Sequence, residues 1–254
     1  MQVNSWYGTI IVAFLLCLVC SVVVSTTAVK LKEEQKANVE LDIKRNLLLS
    51  SGLITDKKAS RNTVEEKFKN VETKVVDLET GQYVENSPQN FDARKAAKDP
   101  KMSVEVPSPD KAKIKNRSKW ATVYLIEDGG VPVSLVLPVS GYGLWSTLYG
   151  FLTLDADTRT VKGLGFYEHA ETPGLGGEVD NPKWKAQWNG KVILDKNYQP
   201  NVRVEKNGND KGKNSVDALS GATITSRGVE NLLHYWLGDH GYGPFLAEFR
   251  KGEI

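Results

Sequence analysis

The stretch WATVYLIEDGGVPVSLVLPVSGYGLWSTLYGFLTLDADTRTVKGLGFY, residues 120–167, decides the fold. Its four runs at 120–127, 131–139, 147–154 and 161–167 are short and rich in Val, Leu and aromatic residues. Between them stand Asp128-Gly129-Gly130, Ser140-Gly141 and Asp155-Ala156-Asp157. β-Branched and aromatic side chains suit a pleated surface, and Gly and Asp suit chain reversals, so the runs are predicted strands of an antiparallel meander. No segment recurs in tandem, and no Gly-x-Gly-x-x-Gly follows a strand, so a dinucleotide-binding βαβ unit is not indicated.

Downstream the periodicity becomes helical. A short helix is expected over 182–188, further strands near Val192 and Val202, and a closing helix over 226–237. In that last segment Val229, Leu232, Leu233, Trp236 and Leu237 recur at three-and-four spacing and form one apolar stripe. Just before it lies Asp217-Ala218-Leu219-Ser220-Gly221-Ala222-Thr223. Ser220, Thr223, Thr225 and Ser226 place four hydroxyls within seven positions, and Gly221 and Ala222 leave the backbone bare enough for a bulky anion to approach. Free N–H groups at a helix start attract phosphate. The same hydroxyls also make ordinary N-caps, and the two readings stand side by side at this level.

Upstream, residues 82–118 are polar, carry Pro88, Pro100, Pro107 and Pro109, and are expected to form an irregular excursion. Residues 30–51 are charged, with Leu31, Val39, Ile43 and Leu47 spaced for one helical face and Gly52 as a C-cap candidate. Thr63 and Glu66 offer a capping box for a second helix carrying Val64, Phe68 and Val71. Residues 6–29 hold no charge and are long enough to cross a hydrocarbon core of about 30 Å. Trp6 and Tyr7 suit one interface, Lys30 and Lys32 the other. No basic residue precedes the apolar run and 25–28 is a poor cleavage site, which argues for a retained single-span anchor rather than a signal peptide. The expected organisation is an anchor at 1–29, a helical and strand connection at 30–81, the excursion at 82–118 and the globular domain at 119–254. Lys30, Lys32 and Lys36, against no basic residue before the span, would place that domain on the cytoplasmic side.

A formal net charge of +2, with bases scattered among acids, gives no electrostatic footprint for nucleic acid. Both cysteines, Cys17 and Cys20, lie inside the apolar run, so no intrachain disulfide framework supports the remainder. Their Cys-x-x-Cys spacing admits a metal or redox role, but within a membrane helix cysteine serves as a small apolar side chain. His169, His234 and His240 are too far apart to suggest a metal site, and His234 sits beside the apolar stripe as a structural imidazole. No nucleophile, base and orienting acid assemble as a hydrolase set, so no catalytic residue is assigned. Two Gly-rich stretches, 140–146 and 171–177, combine backbone freedom with polar or aromatic groups, as wrapping a flat ring requires.

Asp-x-x-Ser-Gly-Ala-Thr at 217–223 resembles the recognition motif of FMN-binding proteins in which a flavin transferase joins FMN, through its phosphate, to the last threonine. Together with Glu171-Thr172-Pro173-Gly174-Leu175-Gly176 and the N-terminal span, it resembles the C-subunit family of bacterial Na+-translocating NADH:quinone reductases over nearly the whole chain. The G-subunit family of Rnf ferredoxin:NAD complexes shares these motifs and is the alternative. The resemblance implies an α+β fold, a single membrane helix followed by an antiparallel-sheet FMN-binding domain. It also implies covalent FMN on Thr223, other membrane proteins of the same complex as partners, and contact with NADH and ubiquinone only through the complex. A periplasmic domain at the inner membrane is implied as well, against the charge rule.

On that resemblance Ser220, Gly221, Ala222 and Asp217 surround the attachment point, Asp217 either assisting attachment, for instance through Mg2+, or capping a loop. Thr225 competes as acceptor, but the family links the residue that follows Gly-Ala directly. Trp145 and Leu175 are candidates for ring packing, Thr172 and Gly174 for polar or backbone contact, and Leu144 and Glu171 complete the expected cofactor-binding set. A different class, an anchored module holding peptide or glycan in its Gly-rich loops, would leave the hydroxyl cluster a plain helix cap.

Overall fold

The computed structural model describes residues 6–88, 90–128 and 131–252, and the expected Gly129-Gly130 turn lies outside them. In chain order, α1 (Trp6–Ser50) and α2 (Arg61–Phe68) precede β1 (Val71–Asp77). Then come α3 (Ala93–Ala96), β2 (Ser103–Glu105) and β3 (Asn116–Ser118). The meander is β4 (Trp120–Asp128), β5 (Val131–Tyr142), β6 (Thr147–Asp155) and β7 (Val161–Glu168). The chain closes with α4 (Pro182–Ala186), β8 (Arg203–Glu205), β9 (Ser215–Asp217), α5 (Thr223–Leu237) and α6 (Gly243–Lys251). Two compact units are formed, Met1–Ile43 and Lys44–Ile254.

Among the described residues the first unit is helix alone. Its apolar part is long and hydrophobic enough to cross a membrane by length and composition. Side chains such as Ile10, Phe14, Leu16 and Val24 are exposed around it, as suits a surface that lipid rather than protein would cover. Four of its hydroxyls are satisfied within the helix. The hydroxyls of Ser21, Ser25, Thr26 and Thr27 donate to carbonyls three or four residues back, which removes the cost of placing them in hydrocarbon. Helix α1 runs without interruption past Lys30 to Ser50, and Gly52, at φ +76°, follows in the left-handed conformation expected of a terminator.

In the second unit a five-stranded antiparallel sheet is ordered β1-β4-β5-β6-β7. Alternation divides its side chains between two faces. Val123, Leu125, Leu135, Leu137, Val139, Leu148, Leu152, Leu164 and Phe166 enter the main core, where they meet Val229, Leu232, Leu233 and Trp236 of α5 and Phe245 of α6. The indole of Trp236 donates to the Ser140 carbonyl at 2.7 Å and the Tyr242 hydroxyl to the Pro138 carbonyl at 2.8 Å, which ties the α5–α6 segment to β5. On the opposite face Tyr124, Phe151 and Tyr167 form an aromatic row joined by Phe68 of α2. The last turn of α1 lies on that face as well, with Leu47 and Leu48 fully buried and Ser50 bonded to Thr153. Both faces are therefore covered, which explains why the strands read as near-continuous apolar runs.

Several expectations are corrected. The cap of α2 is Ser60, whose hydroxyl accepts from the Thr63 N–H, and not Thr63 itself. Val71 begins β1 instead of extending the helix, and β1 pairs with β4 along its whole length, from Val71↔Ile126 to Asp77↔Trp120. The sheet thus draws a strand from the segment assigned to the connection. Strand β5 runs through Ser140-Gly141, and the reversal falls at 143–146. Near Val192 there is an isolated bridge to Thr160 and no strand, while β8 pairs in parallel with β9. Helix α6 was not anticipated. The excursion at 82–118 contains α3, β2 and β3 and is otherwise irregular. Ser60→Ala should cost about 1 kcal/mol of stability, the usual worth of a helix cap, read as a shift of the denaturant midpoint.

Candidate functional site

Three segments that are distant in sequence meet at the carboxylate of Glu171. The first is the tight connection 143–146, which closes the β5–β6 hairpin beyond the Tyr142↔Thr147 pair. The Glu171 Oε1 accepts from the backbone N–H of Leu144 at 3.1 Å, Trp145 at 2.9 Å and Ser146 at 3.2 Å. The second is the loop that carries Glu171 itself. There the Thr172 carbonyl accepts from the N–H groups of Leu175 and Gly177, and Gly174 adopts φ +76°. The third is the first turn of α5, from which the Thr225 hydroxyl donates to Glu171 Oε2 at 2.6 Å.

Space for this carboxylate depends on two glycines. A Cβ at Gly143 would stand 2.7 Å from Oε1, and one at Gly176 would stand 2.6 Å from both Oε2 and the Thr225 hydroxyl. Glu171 is only 5 % exposed. Burial alone would raise its pKa, yet the Thr225 hydroxyl and the N–H groups of Trp145, Ser146 and Leu144 outweigh that and hold it below the usual carboxylate range. It is accordingly ionised at neutral pH. His169 supports it from behind: Nδ1 accepts from the Glu171 N–H at 3.2 Å, so Nε2 carries the proton and donates to Asp180 at 2.9 Å.

Around this buried anion four outward side chains are large and apolar. Trp145 is 65 % exposed, Ile224 55 %, Leu175 44 % and Leu144 40 %. A Cβ at Gly221 would lie 3.0 Å from Leu175 Cδ2, so the motif backbone and the Leu175 loop are in close approach. Thr223 and Ser220 are exposed, whereas Thr225 is completely buried.

The hydroxyls are not helix caps. Ala222 occupies the N-cap position of α5 and no side chain bonds to the first turn from it. Ser226 instead accepts from the Leu219 N–H and donates to the Ala222 carbonyl, folding 219–222 onto the helix start. Asp217 is held from two sides: the Trp184 indole donates to its carbonyl at 2.8 Å and its N–H donates to Gln187 at 2.9 Å. Its Oδ1 accepts from the Asn209 N–H at 3.0 Å and so caps the neighbouring turn.

The structure thus brings Leu144, Trp145, Glu171, Thr172, Gly174, Leu175, Gly221 and Thr225 together with Ala222 and Thr223, while the Asp217 carboxylate is engaged at a separate turn. Missed from sequence were Gly143, Ser146 and Gly176 as individual contributors, and Ile224. The last had a visible signal, an apolar residue out of phase with the α5 stripe. His234 is exposed but bonded, Nε2 to the Val202 carbonyl at 2.8 Å. Among the described residues no cluster of three or more His, Cys, Asp or Glu has metal-binding geometry.

The FMN-binding domain family matches residues 143–238, a span that holds all three of these segments. The C-subunit of the Na(+)-translocating NADH-quinone reductase of Pseudomonas aeruginosa is 49 % identical over 251 residues, covering 96 % of each chain. That of Vibrio vulnificus is 45 % identical over 242 residues, 94 % of this chain and 93 % of the other. The crystal structure of Shewanella oneidensis NqrC superposes with a TM-score of 0.76 at 34 % identity, covering 85 % of this chain and 99 % of that one. The chain belongs to the C-subunit family of Na+-translocating NADH-quinone reductases, part of an oxidoreductase complex, with a flavoprotein fold and an N-terminal helix suited to a membrane anchor. The choice between the two families that share the motifs falls accordingly.

Proposed function

We propose that this chain carries FMN as a phosphoester on Thr223 and relays electrons within a membrane Na+-pumping NADH:ubiquinone reductase. The observation that supports the reading most strongly is the contrast between two threonines. Thr223 is exposed at the start of α5, where unpaired N–H groups and the helix dipole favour a phosphate. Thr225 is fully buried and its hydroxyl proton is committed to Glu171.

Thr223 would hold the FMN phosphate as an ester through its hydroxyl oxygen, the transferase supplying an activated flavin nucleotide whose phosphoanhydride bond would break, with the departing nucleotide phosphate taking the electron pair and, in the net reaction, the hydroxyl proton. A covalent link removes dissociation, so the binding surface needs only to orient the ring. Leu144, Trp145, Leu175 and Ile224 offer apolar area for that, with aromatic packing from Trp145. Once attached, FMN supplies one- and two-electron redox chemistry, and the surrounding charge and hydrogen bonds set its potentials.

In the assembled complex this chain stands between an iron–sulfur centre of partner membrane proteins and another flavin on the route to ubiquinone. NADH and Na+ are handled by other members of the complex. The membrane anchor sits in the bacterial inner membrane with the folded unit on the periplasmic face. An impermeant thiol reagent should then label Lys196→Cys in intact cells. Labelling only after lysis would reverse the orientation in favour of the charge rule. Attachment itself is tested by the mass of the proteolytic peptide containing Thr223 from cells that express the transferase. An added flavin phosphate on that residue is expected, and an unmodified peptide would remove the proposal.

A further inference from the structure

We propose that Glu171 is a positioning residue for the flavin site, a charged staple that fixes the Trp145 connection and the Leu175 loop against the first turn of α5 without touching the ring. The proposal rests on Thr223 being the attachment point, and it reassigns Glu171 from a contact of the cofactor to a determinant of how the site is shaped.

The geometry accounts for every direction of the carboxylate. Oε1 faces three successive backbone N–H groups, of Leu144, Trp145 and Ser146, and Oε2 faces Thr225. A single anion thereby accepts from donors of both the 143–146 connection and α5, with the Leu144 N–H shared between its two oxygens. The connection gains little order from its own bonds: the Gly143 N–H donates to the Ser146 carbonyl, the Tyr142 hydroxyl to the Trp145 carbonyl, and the Ala170 N–H to the Ser146 hydroxyl. Without the carboxylate three neighbouring N–H groups would share no acceptor, and four like-oriented donors around a neutral group are unfavourable. The charges that face Glu171 are few. His169 Nδ1 accepts from the Glu171 N–H and its Nε2–H donates to Asp180, so this pair steadies the loop and does not compete for the carboxylate.

Glu171→Gln keeps the shape and removes the charge, and its amide must present a donor to either the N–H triplet or Thr225. In the flavin-free full chain, produced without the transferase, the amides of 144–146 should exchange with deuterium about tenfold faster or more than in the parent. The β6 amides of 148–154 should be unchanged, which separates a local staple from a general loss of fold. Thr225→Val, which removes one of the four donors, should move the same amides by less. In the flavin-bearing full chain, attachment should persist in Glu171→Gln while the fluorescence anisotropy of the flavin decays faster, as the Trp145 loop no longer confines the ring.

Unchanged exchange at 144–146 would overturn the proposal, and so would fast exchange throughout the sheet, which would make Glu171 a determinant of the whole fold. Faster exchange with unchanged flavin anisotropy would overturn it too, because the loop would then not hold the ring. A parent chain that carries no flavin at Thr223 would instead overturn the attachment reading, and it is recognised by mass before the variants are compared.

Discussion

Thr223→Val is expected to yield a chain with no flavin. Co-expressed with the transferase, it should show no yellow colour, no fluorescence after denaturing electrophoresis and no mass increment, whereas Thr225→Val should retain all three. The difference does not come from residue type, since both positions hold a threonine two residues apart. It comes from where α5 turns them. Thr223 is the first residue of the helix and points to solvent; Thr225 lies beneath it, with no exposed surface. An acceptor must present its oxygen to an enzyme and release its proton. Thr225 can do neither while its hydroxyl donates to Glu171 Oε2 across an oxygen–oxygen distance of 2.6 Å. Thr225→Val should therefore cost stability, about 1–3 kcal/mol for removing the shortest donor to a buried carboxylate, and leave attachment intact. Thr223→Val should be nearly neutral in stability, because the side chain is exposed and does not cap the helix. Flavin that survives in Thr223→Val would place the ester elsewhere.

Which elements are legible in the sequence follows from which forces are local. Strands β4 to β7 were legible because each is a short apolar run with its own punctuation, and the closing helix because its stripe repeats at helical spacing. Strand β1 was not, since VETKVVD between charged residues has little to separate it from the end of a helix; only pairing with β4 along seven residues makes it a strand. Helix α6 starts with Gly-Pro soon after α5 ends, and its stripe of Phe245, Leu246 and Phe249 is too brief to stand out. In the site, Thr223, Trp145 and Leu175 could be named from composition and family resemblance. The role of Glu171 could not. Its partners are 25 to 54 residues away, and which carboxylate oxygen meets which N–H is decided by the hairpin closing at 143–146 and by the glycines that leave it room.

Those same long-range contacts govern the second large effect, at Gly163 of β7. A Cβ built there falls well inside contact distance of the Ser50 carbonyl oxygen and carbon, which belong to backbone and cannot rotate away. Gly165, two residues on along the same face, is a natural control: its Cβ would meet Ser50 Cβ at 3.8 Å, an ordinary contact. Gly163→Val must push the last turn of α1 off the sheet or bend β7, and either movement disturbs Leu47 and Leu48, which are buried there, and the Ser50–Thr153 bond. Overpacking of this kind costs about 2–3 kcal/mol, equivalent to a fall of roughly 5–10 °C in Tm for a unit of this size. Gly165→Ala should change Tm by less than about 2 °C, since an ordinary contact replaces empty space and the β-strand loses a flexible residue. Intrinsic preference alone predicts the reverse for Gly163, because valine suits strands and glycine weakens them. A melting curve in which Gly163→Val matches or exceeds the parent would mean that the α1 turn yields without penalty, and that its seat on β7 contributes nothing to the stability of the flavin domain.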